Sequence, residues 1–384
     1  MSIFIRSNKL VVHVIVGLDV GGAELMLKRL VVSCHDNSCY RHSVISLTSF
    51  GKIGEQLQKM GVEVLALNMR SPLGVFKVLW QLVRIIRIKR PDIVQTWMYH
   101  ADLLGGFAAF LAGSHSIVWN VRSTSIPQGA LSITYWLVRL CAIFSYFIPD
   151  RIICCANSAK TAHIKLRYAS RKMRVIFNGY DFSTFDHDLH LTSRAREELG
   201  FAVGDIVIGV VGRFDPLKDF HNFVTAASYI AARRRDVKFV MIGRGNEWSN
   251  LILRGWIEKA GLVKIFYLVG QQTDVTYHLS ALDIFCLSSS NEAFPNVVVE
   301  AMAIGLPCVV TRAGDAADIV GDDNFVVPVK DSMSLADALG RMCDLNAVDR
   351  RMLGERNAKK VRKEYGIEEI RREYEDVYYQ VLRK

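Results

Sequence analysis

Residues 287–311 read LSSSNEAFPNVVVEAMAIGLPCVVT. Ser288, Ser289, Ser290 and Asn291 read as a loop leaving a strand. Pro295 suits the first turn of a helix, where its missing N–H is not needed. An apolar helix then runs over 297–304, and Gly305 and Pro307 stop it. Residues 308–311 begin the next strand. The acids Glu292 and Glu300 are eight positions apart. Glu292 is therefore expected at a helix mouth and Glu300 about two turns further on. Eight helical residues rise roughly 12 Å at most, the span from sugar to ribose in a nucleotide-diphosphate sugar. The helix start, at Phe294, Asn296 and Val297, offers N–H groups and positive potential to a diphosphate between them. The alternative is that Glu300 faces solvent and Glu292 is an ordinary loop acid.

The pattern before this stretch is a strand over 206–211, then Gly212, Arg213, Phe214, Asp215, Pro216, Leu217, Lys218 and a helix. An Arg and a Lys five apart at a strand end can converge on one diphosphate: Arg binds two oxygens at once, Lys supplies a compact charge. A surface loop is the competing reading. Further strands are expected over 237–242, followed by Gly243, Arg244, Gly245 and Asn246, and over 266–270 and 283–287. The first half alternates in the same way. Strands are expected over 10–17, 41–47, 62–67, 93–96 and 117–121, and helices after 22, over 55–60 and over 75–89. Such alternation predicts α/β architecture with parallel sheets covered on both faces. Ligands then bind at the carboxyl ends of the strands. Gly21 and Gly22, between strand and helix, allow close approach of a phosphate, but the spacing is not that of a dinucleotide fingerprint. His100 and Arg122 stand at two other strand ends.

A chain of 384 residues favours two domains. With 51% hydrophobic and 22% charged residues it buries a sizeable core. The net charge of +10 suits an anionic partner. No spacing typical of nucleic-acid-binding modules is present, so nucleic acid is not an expected partner. The eight cysteines form no CxxC pair, which predicts a reducing compartment and no structural zinc. The apolar run after two basic residues at the N-terminus reads as a buried strand rather than a signal peptide. Residues 131–149 are apolar but interrupted by Arg139, and predict a buried or membrane-touching helix. The helix over 75–90 carries Lys77, Arg84, Arg87, Lys89 and Arg90 around an apolar stripe. Residues 151–174 contain seven lysines and arginines and no acid. A basic, greasy first half suits an anionic membrane face; a solvated basic face is the alternative.

The string from Glu292 to Val310 resembles the E-x7-E region of retaining glycosyltransferases of family 4. One departure stands out: Ala293 replaces the usual glycine. The GRFDPLKD string resembles the same family's diphosphate-gripping G-R-x-x-x-x-K-D motif. Gly243 and Gly245 resemble its loop near the nucleotide base. Gly21, Gly22 and Glu24 match its G-G-x-E loop, and the segment around His100 resembles a stretch in which a histidine lies beside the donor sugar. The residues around His163, and the Asn178–Gly179 string, resemble further segments.

The resemblance implies a GT-B fold. Its parts would be an N-terminal Rossmann-like acceptor domain over 1–185, a nucleotide-sugar domain over 186–365 with the two sheets facing across a cleft, and a final helix over 366–384 returning to the first domain. It implies retaining transfer of a hexosyl or N-acetylhexosaminyl group from a nucleotide sugar, a UDP-sugar by expectation, to a saccharide or lipid-linked saccharide in cell-surface polysaccharide assembly. Glu292, Arg213, Lys218 and His100 would be catalytic. Gly21, Gly22, Gly243, Gly245, Phe294, Asn296, Val297 and Glu300 would hold the donor, and Glu24, Arg122 and His163 would face the acceptor. No metal or other cofactor is expected, since no DxD motif stands at a strand end. A cytoplasmic location against the inner membrane face is expected. The rival readings are a sugar-nucleotide epimerase of the same fold and a non-catalytic nucleotide-sugar or membrane-surface binding protein.

Overall fold

The structure is a computed structural model that describes residues 9–34, 39–69, 74–124, 133–185 and 189–383. The chain divides into two units, residues 1–181 with 365–384, and residues 182–364. The first part of the chain runs β1 (Lys9–Ile15), α1 (Gly22–Ser33), β2 (Tyr40–Ser46), α2 (Gly51–Lys59), β3 (Glu63–Ala66) and α3 (Val75–Lys89). It continues through β4 (Ile93–Trp97), α4 (Tyr99–Leu111), β5 (Ile117–Val121), α5 (Ile133–Phe144), β6 (Arg151–Cys154), α6 (Asn157–Lys165) and β7 (Met173–Val175). The second unit contains α7 (Leu189–Glu198), β8 (Ile206–Val211), α8 (Phe220–Arg233), β9 (Val237–Ile242), α9 (Leu251–Lys259), β10 (Phe266–Gly270) and α10 (Val275–Leu279). Then come β11 (Ile284–Leu287), α11 (Asn296–Ala303), β12 (Cys308–Thr311), α12 (Ala316–Val320), β13 (Val326–Val327), α13 (Ser332–Asp344) and α14 (Ala347–Glu364). Helix α15 (Ile367–Leu382) ends the chain.

Among the described residues every strand pairing is parallel, in the orders β3-β2-β1-β4-β5-β6-β7 and β10-β9-β8-β11-β12-β13. The central strands are buried along their whole length, as a parallel sheet covered on both faces requires. In the first unit the core joins β1, β2 and β4 to α1 and α15. Tyr374 and Tyr378 of α15 are fully buried. Their hydroxyls meet Asn120 Nδ2 at 3.0 Å and Gln95 Oε1. Such buried polar contacts fix the rotation of α15, which apolar packing alone would leave loose.

Two expectations need correction. By its polarity the stretch 180–199 reads in the sequence as a linker between the two halves, but it is not an open one: it includes α7, and Arg196 of that helix donates to Asp283 Oδ2 at 2.9 Å and to the Asp205 carbonyl at 2.7 Å. Pro295 precedes α11 as its N-cap rather than lying inside it. The apolar stretch 131–149 contributes the twelve-residue α5; residues 131 and 132 lie outside the described set. No described helix is long and apolar enough to cross a membrane.

Helix α14 packs against the end of α11 with almost no clearance. A Cβ at Gly354 would stand 1.7 Å from the Gly305 carbonyl oxygen, whereas one at Gly340 of α13 would meet open space. Gly354→Ala should therefore lower stability by about 1–3 kcal/mol, the usual range for overpacking. Gly340→Ala should leave it unchanged or raise it by roughly 0.5–1 kcal/mol. Thermal unfolding of the two variants checks this; equal melting temperatures would contradict the packing described.

Candidate active site

In the second unit the winding reverses between β8 and β11. The loops at the carboxyl ends of these two strands border that switch point, where open α/β sheets bind ligands. They are the 212–219 and 288–295 loops. Polar contacts lace them together, and one more closes the second loop on itself. Ser290 N donates to the Leu217 carbonyl at 2.8 Å, and Ser288 Oγ to the Lys218 carbonyl at 2.8 Å. Lys218 Nζ donates to Glu292 Oε1 at 2.6 Å, and Ser289 Oγ reaches the same oxygen at 2.7 Å. The Lys218–Glu292 pair is mostly shielded, with the side chains 22% and 15% exposed.

Arg213 behaves differently. Its side chain is 63% exposed, and its Nε donates to Asp215 Oδ2 at 3.0 Å. The other oxygen of Asp215 accepts from Leu217 N at 3.0 Å. Partial burial pushes the Asp215 carboxyl up, but the Leu217 N–H and the Arg213 guanidinium outweigh it and hold it below the ordinary value. An exposed pair of this kind adds little stability. Its effect is to aim the guanidinium. Asp215 and Ser289 were not singled out from the sequence, although an Asp before Pro at a strand end is an N-cap signal.

Helix α11 starts at Asn296 after Pro295, which makes no side-chain cap, and the positive end of its dipole lies at this first turn beside Phe294 and Val297. Glu300 is its fifth residue and is half-buried. Ala293, in place of the family's glycine, costs nothing here: among the described residues it is not one of those with positive φ. The position that does need glycine is Gly314, with φ +58, because a Cβ there would stand 2.4 Å from the Glu292 carbonyl oxygen.

The glycines after β9 have a structural explanation. A Cβ at Gly243, φ +129, would lie 2.2 Å from the Gly212 carbonyl oxygen, and one at Gly245 would crowd Phe214. Asn246 is fully buried and donates to the Gly212 and Ile242 carbonyls. Their observed task is to let the β9 loop lie against the β8 loop.

In the first unit, Met98 ends β4 in a strained conformation, φ 72 and ψ 156. The next turn starts α4 and presents His100 at the surface. Buried Asp102 secures it: its N–H donates to the Met98 carbonyl at 2.8 Å, and its Oδ1 accepts from Thr96 Oγ1 at 2.6 Å. Partial burial lowers the His100 pKa below its ordinary value, which favours a neutral imidazole. Arg122 lies over the Trp97 ring and donates to Asn178 and, at 3.5 Å, to Asn120. Glu24 folds back over the turn at Gly21, where an added Cβ would stand 2.4 Å from its carboxylate. Burial raises its pKa, opposed by its own N–H and by Arg122.

His163 is a correction. It is fully buried, with Nδ1 on the Ala159 carbonyl at 2.7 Å and Nε2 facing the Tyr99 hydroxyl at 2.9 Å. Nε2 fastens α6 to the start of α4 and Nδ1 is held within α6, so both ring nitrogens are engaged and the residue does not face an acceptor.

Asp102 Oδ2 has no hydrogen-bond partner among the described residues. Burial, only partly offset by Thr96 and Asn120, pushes the carboxyl up to about 8. Between the ordinary carboxylate value and about 8, the unfolded chain releases this proton while the folded chain keeps it. Stability should therefore fall as pH rises through that window. Asp102→Asn keeps an acceptor for Thr96 and removes the titration. Its melting temperature should fall less than the wild type's between pH 5 and 9; parallel curves would contradict the assignment.

Comparison with known proteins shows the family. The family model "Glycosyltransferase Family 4" matches residues 20–184, and "Glycosyl transferases group 1" matches residues 192–361. The chain is 30% identical to the UDP-Gal:alpha-D-GlcNAc-diphosphoundecaprenol alpha-1,3-galactosyltransferase of Escherichia coli, over 70% of each chain. It is 22% identical to the capsular polysaccharide biosynthesis glycosyltransferase CapM of Staphylococcus aureus, over 86% of this chain and 89% of that one. Its fold is similar to that of Anabaena HepE, solved with UDP, with a TM-score of 0.84, 20% identity and coverage of 96% and 99%. Two parallel Rossmann-like sheets, a polar constellation at the second sheet's switch point and these matches lead to one statement: the chain belongs to the family 4, group 1 glycosyltransferases of GT-B architecture and is a glycosyltransferase.

Proposed function

We propose that the protein is a retaining transferase that moves a hexosyl or N-acetylhexosaminyl group from a UDP-sugar to a lipid-linked saccharide in cell-surface polysaccharide assembly. The observation that carries the donor side is the Lys218–Glu292 pair at the switch point of the second unit, with Arg213 aimed beside it. The names of the Escherichia coli relative and the HepE complex support a UDP donor, and the former a diphosphate lipid acceptor.

In this reading the donor diphosphate takes over Lys218 as it binds, and Arg213 takes further oxygens. Glu292 is then released to accept hydrogen bonds from sugar hydroxyls. As the anomeric C–O bond breaks, negative charge grows on the departing diphosphate and the sugar acquires oxocarbenium character. Fixed cations and the α11 N-terminus stabilise that charge without reorganising, which supplies the largest catalytic contribution. Glu300, further along α11, takes the ribose. Gly243 and Gly245 border the base, and Gly21 and Gly22 approach the diphosphate. His100 acts beside the transferred sugar, and Glu24 and Arg122 face the acceptor. No divalent ion is required, because the chain's own cations meet the diphosphate.

The first unit rests against an anionic membrane. The outward faces of α3 and α5 support this: Phe76, Trp80, Trp136 and Ile143 are exposed, with Lys77, Arg84 and Arg139 on the same helices. The basic run after α5 contributes less than its composition suggests, since Arg174 pairs with Asp376 and Lys172 reaches the Tyr146 and Pro149 carbonyls.

Arg213→Ala and Lys218→Ala should each lower turnover by roughly 10²- to 10³-fold, the scale for one preorganised charge-stabilising group. Near-normal rates in steady-state assays of both would remove the diphosphate clamp. Glu300→Ala should raise the donor KM more than it lowers kcat. Activity should also persist in EDTA; loss that magnesium restores would overturn the metal-free mechanism.

A further inference from the structure

In the first unit α4 packs on β4 and β5 and is flanked by α3 and α5. The three helices leave a space between their apolar sides. They enclose a cavity of about 310 Å³ whose walls include Leu79 of α3, Leu103, Leu104 and Phe107 of α4, and Leu137 and Phe144 of α5. All six side chains are half-buried, and Phe107 meets Phe144 edge to face at 4.8 Å. The other described lining is apolar too, except for His100 at the start of α4. From His100 to Phe107 is two helical turns, so the cavity extends roughly 10 Å inward from the strand-end surface.

Apolar walls left open in this way cost about 25 cal/mol per Å² of exposed surface. They also make a poor site for water, which needs polar partners. The geometry therefore asks for an apolar occupant that enters beside His100. The cavity's surroundings say where it comes from. The outward sides of the same α3 and α5 carry Phe76, Trp80, Ile133 and Trp136 in the open, together with Lys77, Arg84, Arg87 and Arg139. Aromatic residues among cations suit the boundary between lipid tails and anionic head groups.

We propose that this cavity receives the isoprenoid units next to the diphosphate of a polyprenyl-diphosphate saccharide acceptor. The inference rests on the lipid-linked-acceptor reading above and adds where the chain goes. The chain lies between α3, α4 and α5, and its diphosphate remains at the N-terminal end of α4, where the helix potential is positive. Chain recognition is then separate from sugar recognition, and one saccharide on a short alkyl group is a poorer acceptor than the same saccharide on a polyprenyl group.

The test uses the full chain and two soluble probes, farnesyl diphosphate and inorganic diphosphate, with binding measured by calorimetry. The wild type should bind farnesyl diphosphate at least about tenfold more tightly, a modest share of what burying a chain this size provides. Leu104→Trp, filling the cavity from α4, and Leu137→Phe, filling it from α5, should remove that preference. UDP binding and the melting temperature verify that each variant is folded, and if one is not, the other decides. A wild type with no preference for the farnesyl chain would overturn the lipid-acceptor reading and this inference together. A preference that survives in a folded variant would leave that reading standing and overturn the cavity assignment alone.

Discussion

The contact on which the proposed donor site depends is the ion pair between Lys218 and Glu292. It joins a loop that leaves β8 to one that leaves β11, across the point where the winding reverses. Both side chains are largely shielded, so removing one partner leaves the other charge partly desolvated and unmatched. The pair thus does two things. It holds the loops in register, and it keeps an ammonium and a carboxylate at the switch point, where the proposed mechanism has a diphosphate displace one from the other.

The backbone around that pair is preorganised by close approach rather than by side-chain bulk. Phe214 N donates to the Arg244 carbonyl at 2.7 Å, and Gly243 N to the Gly270 carbonyl at 2.7 Å. Buried Asn246 reaches Gly212. Glycine at 243 and 314 removes the methyl groups that would push neighbouring loops apart. Loops from β8, β9, β10, β11 and β12 consequently support one another, as a site that stabilises charge without moving must.

The first unit solves a different problem. Its buried polar groups, Asp102, Asn120, Gln95 and the tyrosines of α15, secure strand ends and one strained turn. Around its buried apolar core, α3 and α5 also leave Phe76, Trp80, Ile133 and Trp136 exposed, and a cavity lined by apolar side chains lies beside them.

Much was legible in the amino-acid order alone. The strands over 117–121, 206–211, 237–242, 266–270 and 308–311 and the helix over 75–89 form with the expected bounds, because apolar runs punctuated by glycine and proline are local signals. The family was legible as well, since its motifs are contiguous strings. Tertiary structure decided everything that depends on a partner distant in sequence. Lys218 and Glu292 lie 74 residues apart, and nothing local announces that they meet. His163 read as a site residue because a histidine in a motif cannot reveal that Tyr99 will cover it. Stretch 180–199 read as linker because its polarity hides that Arg196 fastens it to Asp283. The cavity between α3, α4 and α5 is a void between elements, and a one-dimensional pattern of apolar residues does not distinguish walls that touch from walls that stand apart.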